Sequence, residues 1–207
     1  MRTLRDCRLY AIIDLGYVDI GDCRRVAEEM VQGGVDLIQL RGKGKSIATL
    51  AALASELHKI TSPTTTPLIA NDFATIATTV PLEGIHVGQD DDAITLVRET
   101  VKRPILVGKS THSLDQARAA QQEGADYIGF GPIFTTPTKP SYKPIGLSDI
   151  KRVHEEVDLP IFCIGGINID NLQKVIDAGA NRVVMVSSLL KAHSIVDYAR
   201  CVTDMLA

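Results

Sequence analysis

The chain has 207 residues, 45% of them hydrophobic, and carries 22 basic against 25 acidic side chains for a formal charge of -3. That is enough apolar material for a sizeable core without disulfide or metal staples. The near balance of charge, the absence of Trp and an aromatic share of only 4% exclude the basic, stacking surface of a nucleic-acid binder.

Cys7, Cys23, Cys163 and Cys201 are widely spaced and form no CxxC pair, which fits reduced thiols better than a zinc or redox motif. The opening MRTLRDCRLYAIID breaks its apolar run with charges too soon for a signal peptide, and no window approaches a membrane span. A soluble cytoplasmic protein with no membrane or nucleic-acid partner is expected. A homo-oligomer is compatible with this reading.

In chain order, short apolar, β-branched runs recur: LYAII, VDLIQL, PLIA, GIHV, ILVG, YIGFG, IFCIG and VVMVS. Segments of helical spacing lie between them, such as Cys23, Val26, Ala27 and Met30, then Leu50, Leu53, Ala54 and Leu57, and later Leu172, Val175 and Ile176. Gly34-Val35-Asp36, Gly124-Ala125-Asp126 and Gly179-Ala180-Asn181 each place Gly at a helix end and a polar residue before the next strand. Ser113 to Gln116 fits a capping box, and Asn168 fits an N-cap. TSPTTTP (61 to 67) is the most loop-like stretch, and no linker divides the chain.

Strands apolar throughout are buried on both faces, which points to a parallel sheet covered by helices. Eight βα units predict a single-domain α/β fold, a (β/α)8 TIM barrel over 1-207, near the lower size limit for that fold. The alternative, an open doubly wound sheet, lacks its dinucleotide glycine fingerprint after the first strand.

Chemistry in such a barrel belongs to the loops after each strand. Polar groups collect there: Gln39-Leu40-Arg41-Gly42-Lys43 after the second run, Asn71-Asp72 after the third and Gly88-Gln89-Asp90-Asp91-Asp92 after the fourth. Lys109 to His112 follow the fifth run and Gly131 to Pro140 the sixth. Gly165-Gly166 and Val186-Ser187-Ser188 follow the last two. Singly, each has a plain reading: Arg41 and Lys43 as solvated charges, Asp72 as a helix cap, His112 as a structural histidine, Thr135, Thr136 and Thr138 as loop filler. Convergence on one rim favours function. Backbone N-H groups at Gly166 and around Val186 and Ser187 suit a phosphate. Carboxylates at Asp72 and Asp91 would repel one unless Mg2+ lies between, and Arg41, Lys43 and Lys139 suit a second, more highly charged group such as pyrophosphate.

The motifs QLRGK (39 to 43), ND (71 to 72), HVGQDD (86 to 91), STH (110 to 112), GPIFTTPTK (131 to 139), IGGI (164 to 167) and the final VSS resemble those of thiamine-phosphate synthase, from Leu9 to about Leu190. The resemblance implies a transferase joining 4-amino-2-methyl-5-hydroxymethylpyrimidine diphosphate to 4-methyl-5-(2-hydroxyethyl)thiazole phosphate, plain or carboxylated. It implies that Gln39 to Lys43, Asn71, Ser110 and Lys139 bind the pyrimidine diphosphate, with Arg41, Lys43, Ser110 and Lys139 serving catalysis. Asp72 and Asp91 would hold Mg2+. Thr136, Pro137, Thr138, Gly166, Val186 and Ser187 would bind the thiazole phosphate. Two departures stand out: Gly42 and Ser141 occupy positions where the family usually has an acid, and Gly42 is expected to face outward or contribute backbone. Two other readings remain: a thiazole tautomerase of the same fold using His112, and a noncatalytic phosphate-binding regulatory barrel. Within HVGQDDD, Asp91 is the expected ligand, Asp92 a helix-start acid and Asp90 solvent-facing.

Overall fold

The computed structural model describes residues 3-138 and 142-207. Each apolar run is a strand: β1 (Leu9–Asp14), β2 (Leu37–Arg41), β3 (Leu68–Asn71), β4 (Gly84–Val87), β5 (Leu106–Thr111), β6 (Tyr127–Phe130), β7 (Ile161–Cys163) and β8 (Val183–Met185). They pair in parallel in that order, and β8 returns to β1 with Val183 beside Leu9, which closes the barrel and removes the open-sheet alternative. Around it run α1 (Cys23–Gln32), α2 (Ile47–Thr61), α3 (Ile76–Thr79), α4 (Ile94–Val101), α5 (Leu114–Gln122), α6 (Ile150–Glu156), α7 (Ile169–Asp177), α8 (Ser187–Leu190) and α9 (Ile195–Leu206).

Successive strand residues face opposite ways, so one chain builds two apolar layers. Leu9, Ala11, Ile13, Ile38, Leu40, Leu68, Ile85 and Val107 pack with the helix residues Val26, Met30, Leu53 and Leu57 in the outer layer. Tyr10, Ile12, Leu37, Ile69, Tyr127, Phe162 and Val184 form a separate inner cluster that fills the barrel. Its aromatic rings meet edge to face: Tyr10 on Phe162 at 5.5 Å and Tyr127 on Phe162 at 5.7 Å between centroids. Gly108 is required for this arrangement, because a Cβ there would lie 2.1 Å from Tyr127 Cζ.

The three Gly-containing helix exits share one geometry. Gly34, Gly124 and Gly179 have φ of 86°, 84° and 106°, and the paired bonds Gly34 N to Val31 O and Val35 N to Met30 O recur at the other two exits. At two of them an acid follows and caps the neighbouring strand, and Glu83 does the same elsewhere. Asp36 Oδ2 accepts from the Arg8 and Leu9 N-H groups at 2.8 and 3.0 Å, tying β1 to β2. Asp126 Oδ2 accepts from Val107 N-H at 2.7 Å, tying β5 to β6, and Glu83 Oε2 accepts from Leu68 N-H at 2.8 Å, tying β3 to β4. These carboxylates line the base of the barrel, opposite the rim.

At the helix starts, Asn168 and Asn171 exchange bonds at 3.1 and 2.9 Å in a full capping box. The box expected at Ser113 is shifted: Ser113 accepts from Gln116 N-H, but Gln116 Oε1 accepts from His112 N-H at 2.7 Å instead of from Ser113. Asp72 is not a helix cap, because α3 is capped at Thr75. Asp92 is not in the first turn of α4 either; the N-cap is Ala93, and that turn holds no acid.

Candidate active site

A cavity of about 430 Å³ opens where the strands end. The inward-facing positions just above the aromatic layer form its floor, so the strand alternation that fills the core also delivers polar side chains to the site. Gln39, Arg41, Asn71, Ser110, Thr136, Pro137, Thr138, Gly166, Val186 and Ser187 all line it, as does His112. Leu40 points into the outer apolar layer, so only its backbone reaches the rim. Gly42 is buried, and a Cβ there would stand 2.6 Å from Leu50 Cδ2 and 2.8 Å from Leu15 Cδ1. It does not face outward, and an acid at this position would require both leucines to move.

Arg41 is set by register. Asp14 and Arg41 end β1 and β2 as direct neighbours, and Arg41 Nη1 donates to Asp14 Oδ2. The two side chains are 13% and 4% exposed, and Asp14 Oδ1 also accepts from Gly16 N-H at 2.8 Å. The guanidinium therefore reaches the cavity already held on one side. Sequence reasoning missed Asp14, although an acid closing an otherwise apolar strand was a visible signal.

Lys43, Asp72 and Asp91 gather beside this cavity at the ends of β2, β3 and β4. Asp72 adopts a left-handed conformation (φ 66°), which a short polar side chain tolerates better than most, while its N-H extends the ladder to His86 O at 2.9 Å. Its Oδ2 accepts from Lys43 Nζ at 2.6 Å, and Asp91 Oδ2 accepts from Gly88 N-H at 2.7 Å. Burial raises the Asp72 carboxyl above its ordinary value; Lys43 opposes that shift and the neighbouring Asp91 adds to it. Asp90 and Asp92 are exposed. Among the described residues no group of three or more His, Cys, Asp or Glu is placed to hold a metal ion together. Two adjacent carboxylates under mutual repulsion are a donor set that suits Mg2+, which takes one or two carboxylates and completes its shell with water and phosphate oxygens.

The opposite wall is backbone. Gly165 and Gly166 have φ of 102° and 65°, and Cβ atoms there would meet Pro132 at 2.4 Å and Thr135 O at 2.5 Å. The loop after β6 is bound to this turn through Ile133 N to Ile164 O and Phe134 N to Gly165 O, at 2.8 and 2.9 Å. Thr138 Oγ1 and Tyr17 OH are 3.1 Å apart, and Lys191 Nζ sits 4.9 Å from the Tyr17 ring centroid. Lys191 lines the cavity, a cation that sequence reasoning did not select, since a Lys beyond the last recognised motif gave no signal. Lys139 and Ser141 lie outside the described residues.

His86 was also missed. It lines the cavity, and its Nε2 lies 3.0 Å from Ser110 Oγ. His112 Nδ1 bonds the Gly131 carbonyl, which places the proton on Nδ1 and the lone pair on Nε2. The four cysteines are free; Cys7, Cys23 and Cys163 are buried, and burial pushes the Cys163 thiol up to about 12. Among the described residues no helix is long and apolar enough to cross a membrane.

A family model described as thiamine monophosphate synthase matches residues 9–189. A thiamine-phosphate synthase of Halalkalibacterium halodurans is 39% identical over 93% of this chain and 92% of its own length. One of Clostridium acetobutylicum is 36% identical over 97% and 95%. A solved thiamine phosphate pyrophosphorylase from Pyrococcus furiosus superposes with a TM-score of 0.89 at 25% identity, covering 99% of this chain and 98% of that one. Matched along nearly its whole length by sequence and by overall fold, the chain belongs to the thiamine monophosphate synthase family of transferases.

Proposed function

We propose that the chain condenses 4-amino-2-methyl-5-hydroxymethylpyrimidine diphosphate with 4-methyl-5-(2-hydroxyethyl)thiazole phosphate, plain or carboxylated, releasing pyrophosphate. The observation that carries this reading is one cavity with two unlike walls. Gln39, Arg41, Asn71 and Ser110 face it from one side, and the Gly165-Gly166 turn with Val186 and Ser187 from the other. Two anionic substrates can thus meet end to end.

Breaking the carbon to oxygen bond of the diphosphate leaves a pyrimidine cation stabilised by its own amino group, and the thiazole nitrogen then adds. No protein nucleophile is needed. Arg41 and Lys43, with Lys139, would stabilise the negative charge growing on the departing pyrophosphate. Mg2+, held by Asp72 and Asp91, would supply further neutralisation of that charge. Lys43 would then pass from Asp72 to the diphosphate. Leu40 and Gly42 would contribute backbone at most. Thr136, Pro137 and Thr138, beside Gly166, Val186 and Ser187, would seat the thiazole phosphate, and Lys191 adds a cation at that end. The loop after β6 would keep water from the cation.

Mixing both substrates with Mg2+ and following thiamine phosphate by chromatography tests the reading. Product that disappears on adding a chelator supports it; no product from folded protein sinks it. The place of His112 in the cavity lining, with its Nδ1 on the Gly131 carbonyl, supports a second reading, a thiazole tautomerase. Isomerisation of the thiazole precursor without condensation would establish that one instead.

A further inference from the structure

A continuous hydrogen-bonded chain crosses the barrel interior and joins two residues of the cavity lining, Gln39 on β2 and Ser110 on β5. Gln39 Nε2 donates to Tyr10 OH. Tyr10 OH and Tyr127 OH are 3.1 Å apart, Tyr127 OH is 3.2 Å from His86 Nδ1, and His86 Nε2 is 3.0 Å from Ser110 Oγ. The two tyrosines are fully buried in the inner apolar layer, 1% and 0% exposed, while Gln39 and Ser110 at the ends line the cavity. We infer that Tyr127 is a positioning residue whose hydroxyl fixes the direction of this chain, and with it which cavity atoms donate and which accept. The functional part of the inference rests on the proposed reaction, because that is what puts an aminopyrimidine between Gln39 and Ser110.

The direction follows from counting protons. Burial raises both phenols above their ordinary values, so each keeps its single proton. Tyr10 accepts from the Gln39 amide, so its own proton goes to Tyr127. Tyr127 then gives its proton to His86 Nδ1. His86 must carry its proton on Nε2 and donate to Ser110 Oγ, which leaves the Ser110 hydroxyl proton to point into the cavity. At the other end, the Gln39 amide has spent a donor on Tyr10, and its carbonyl oxygen is presented as an acceptor. The cavity therefore offers an acceptor at Gln39 and a donor at Ser110, a pattern that selects a planar heteroaromatic ring with an amino group and an unprotonated ring nitrogen. Gln39 alone could not hold this pattern, since an amide can turn over and exchange donor for acceptor. The rigid aromatic packing around Tyr127 and the absence of a Cβ at Gly108 keep its hydroxyl in place.

Nitrogen-15 NMR of the histidine rings in the ligand-free protein tests the direction without reference to any reaction. His86, assigned by its loss in His86→Gln, is expected as the Nε2-H tautomer. Finding the Nδ1-H tautomer overturns the inference, whatever the substrate. Tyr127→Phe keeps the ring and removes only the hydroxyl, and a thermal melt within a few degrees of the parent is expected to confirm that it folds. In that variant the tautomers of His86 become mixed. kcat/KM for the pyrimidine diphosphate falls about tenfold, as for one lost hydrogen bond, while KM for the thiazole phosphate is unchanged. Equal losses toward both substrates, or an unchanged tautomer in Tyr127→Phe, refute a positioning role. Should the parent protein show no condensation at all, the proposed reaction fails while the NMR result still decides the direction of the chain.

Discussion

The Asp14 and Arg41 pair can be tested by removing charge with minimal change of shape. Asp14→Asn keeps an acceptor for the Gly16 N-H but leaves Arg41 uncompensated where the two side chains are 4% and 13% exposed. Breaking one side of a buried pair typically costs about 3 to 5 kcal/mol, and the retained amide contact places this case near the lower figure. For a chain of this length each kcal/mol moves the midpoint by roughly 2 to 4 °C, so a fall of about 6 to 12 °C is expected in a thermal melt. Pyrophosphate with Mg2+ should then raise the midpoint of the variant more than that of the parent, because the ligand supplies the partner that Arg41 lost. A variant that melts within about 2 °C of the parent would refute the reasoning, since Arg41 would then not depend on Asp14.

Asp91→Ala should abolish Mg2+-dependent turnover while Asp90→Ala and Asp92→Ala retain it, as read by product formation; loss in all three would mean that only the local field matters. The Asp72 carboxyl has a raised value in the folded state, so the folded protein binds that proton more tightly than the unfolded chain, and stability is lost as pH rises above the ordinary 3.8. Without Mg2+, Asp72→Asn should therefore melt higher than the parent at pH 7 and equal to it at pH 3, and the reverse order would contradict the assignment. Gly108→Ala should destabilise by about 1 to 3 kcal/mol in urea titration, because the added methyl group meets the Tyr127 ring and core overpacking has costs of that size. Lys191→Ala should raise KM for the thiazole phosphate with kcat little changed; an unaltered KM removes that lysine from the site.

The barrel was legible in the sequence because its strands are buried on both faces and read as unbroken apolar runs, and because Gly34, Gly124 and Gly179 mark three helix exits. Of the residues that the motifs singled out, Gln39, Arg41, Asn71 and Ser110 share one cavity. What escaped depends on pairing between distant segments. Asp14 matters through its register with Arg41, and His86 through Ser110 and Tyr127 on neighbouring strands, relations that no local pattern expresses. Asp72 was plausible as a helix cap because an acid before a helical segment usually is one; here the strand ladder continues through it and turns it toward Lys43. Of the two readings of Gly42 the outward one failed, because exposure in a loop cannot be told from packing against Leu15 and Leu50 without the fold.

The carboxylates at the base give the barrel a grain. Asp36, Glu83 and Asp126 each clasp the start of the strand before their own, joining first to second, third to fourth and fifth to sixth, while among the described residues strands two and three or four and five share no such carboxylate clasp. A chain divided between α2 and β3, or between α4 and β5, would keep every clasp inside one fragment. A division between α1 and β2 would part Asp36 from Leu9. The ring that looks uniform from above thus carries its carboxylate clasps in three two-strand units, with the seventh and eighth strands outside them.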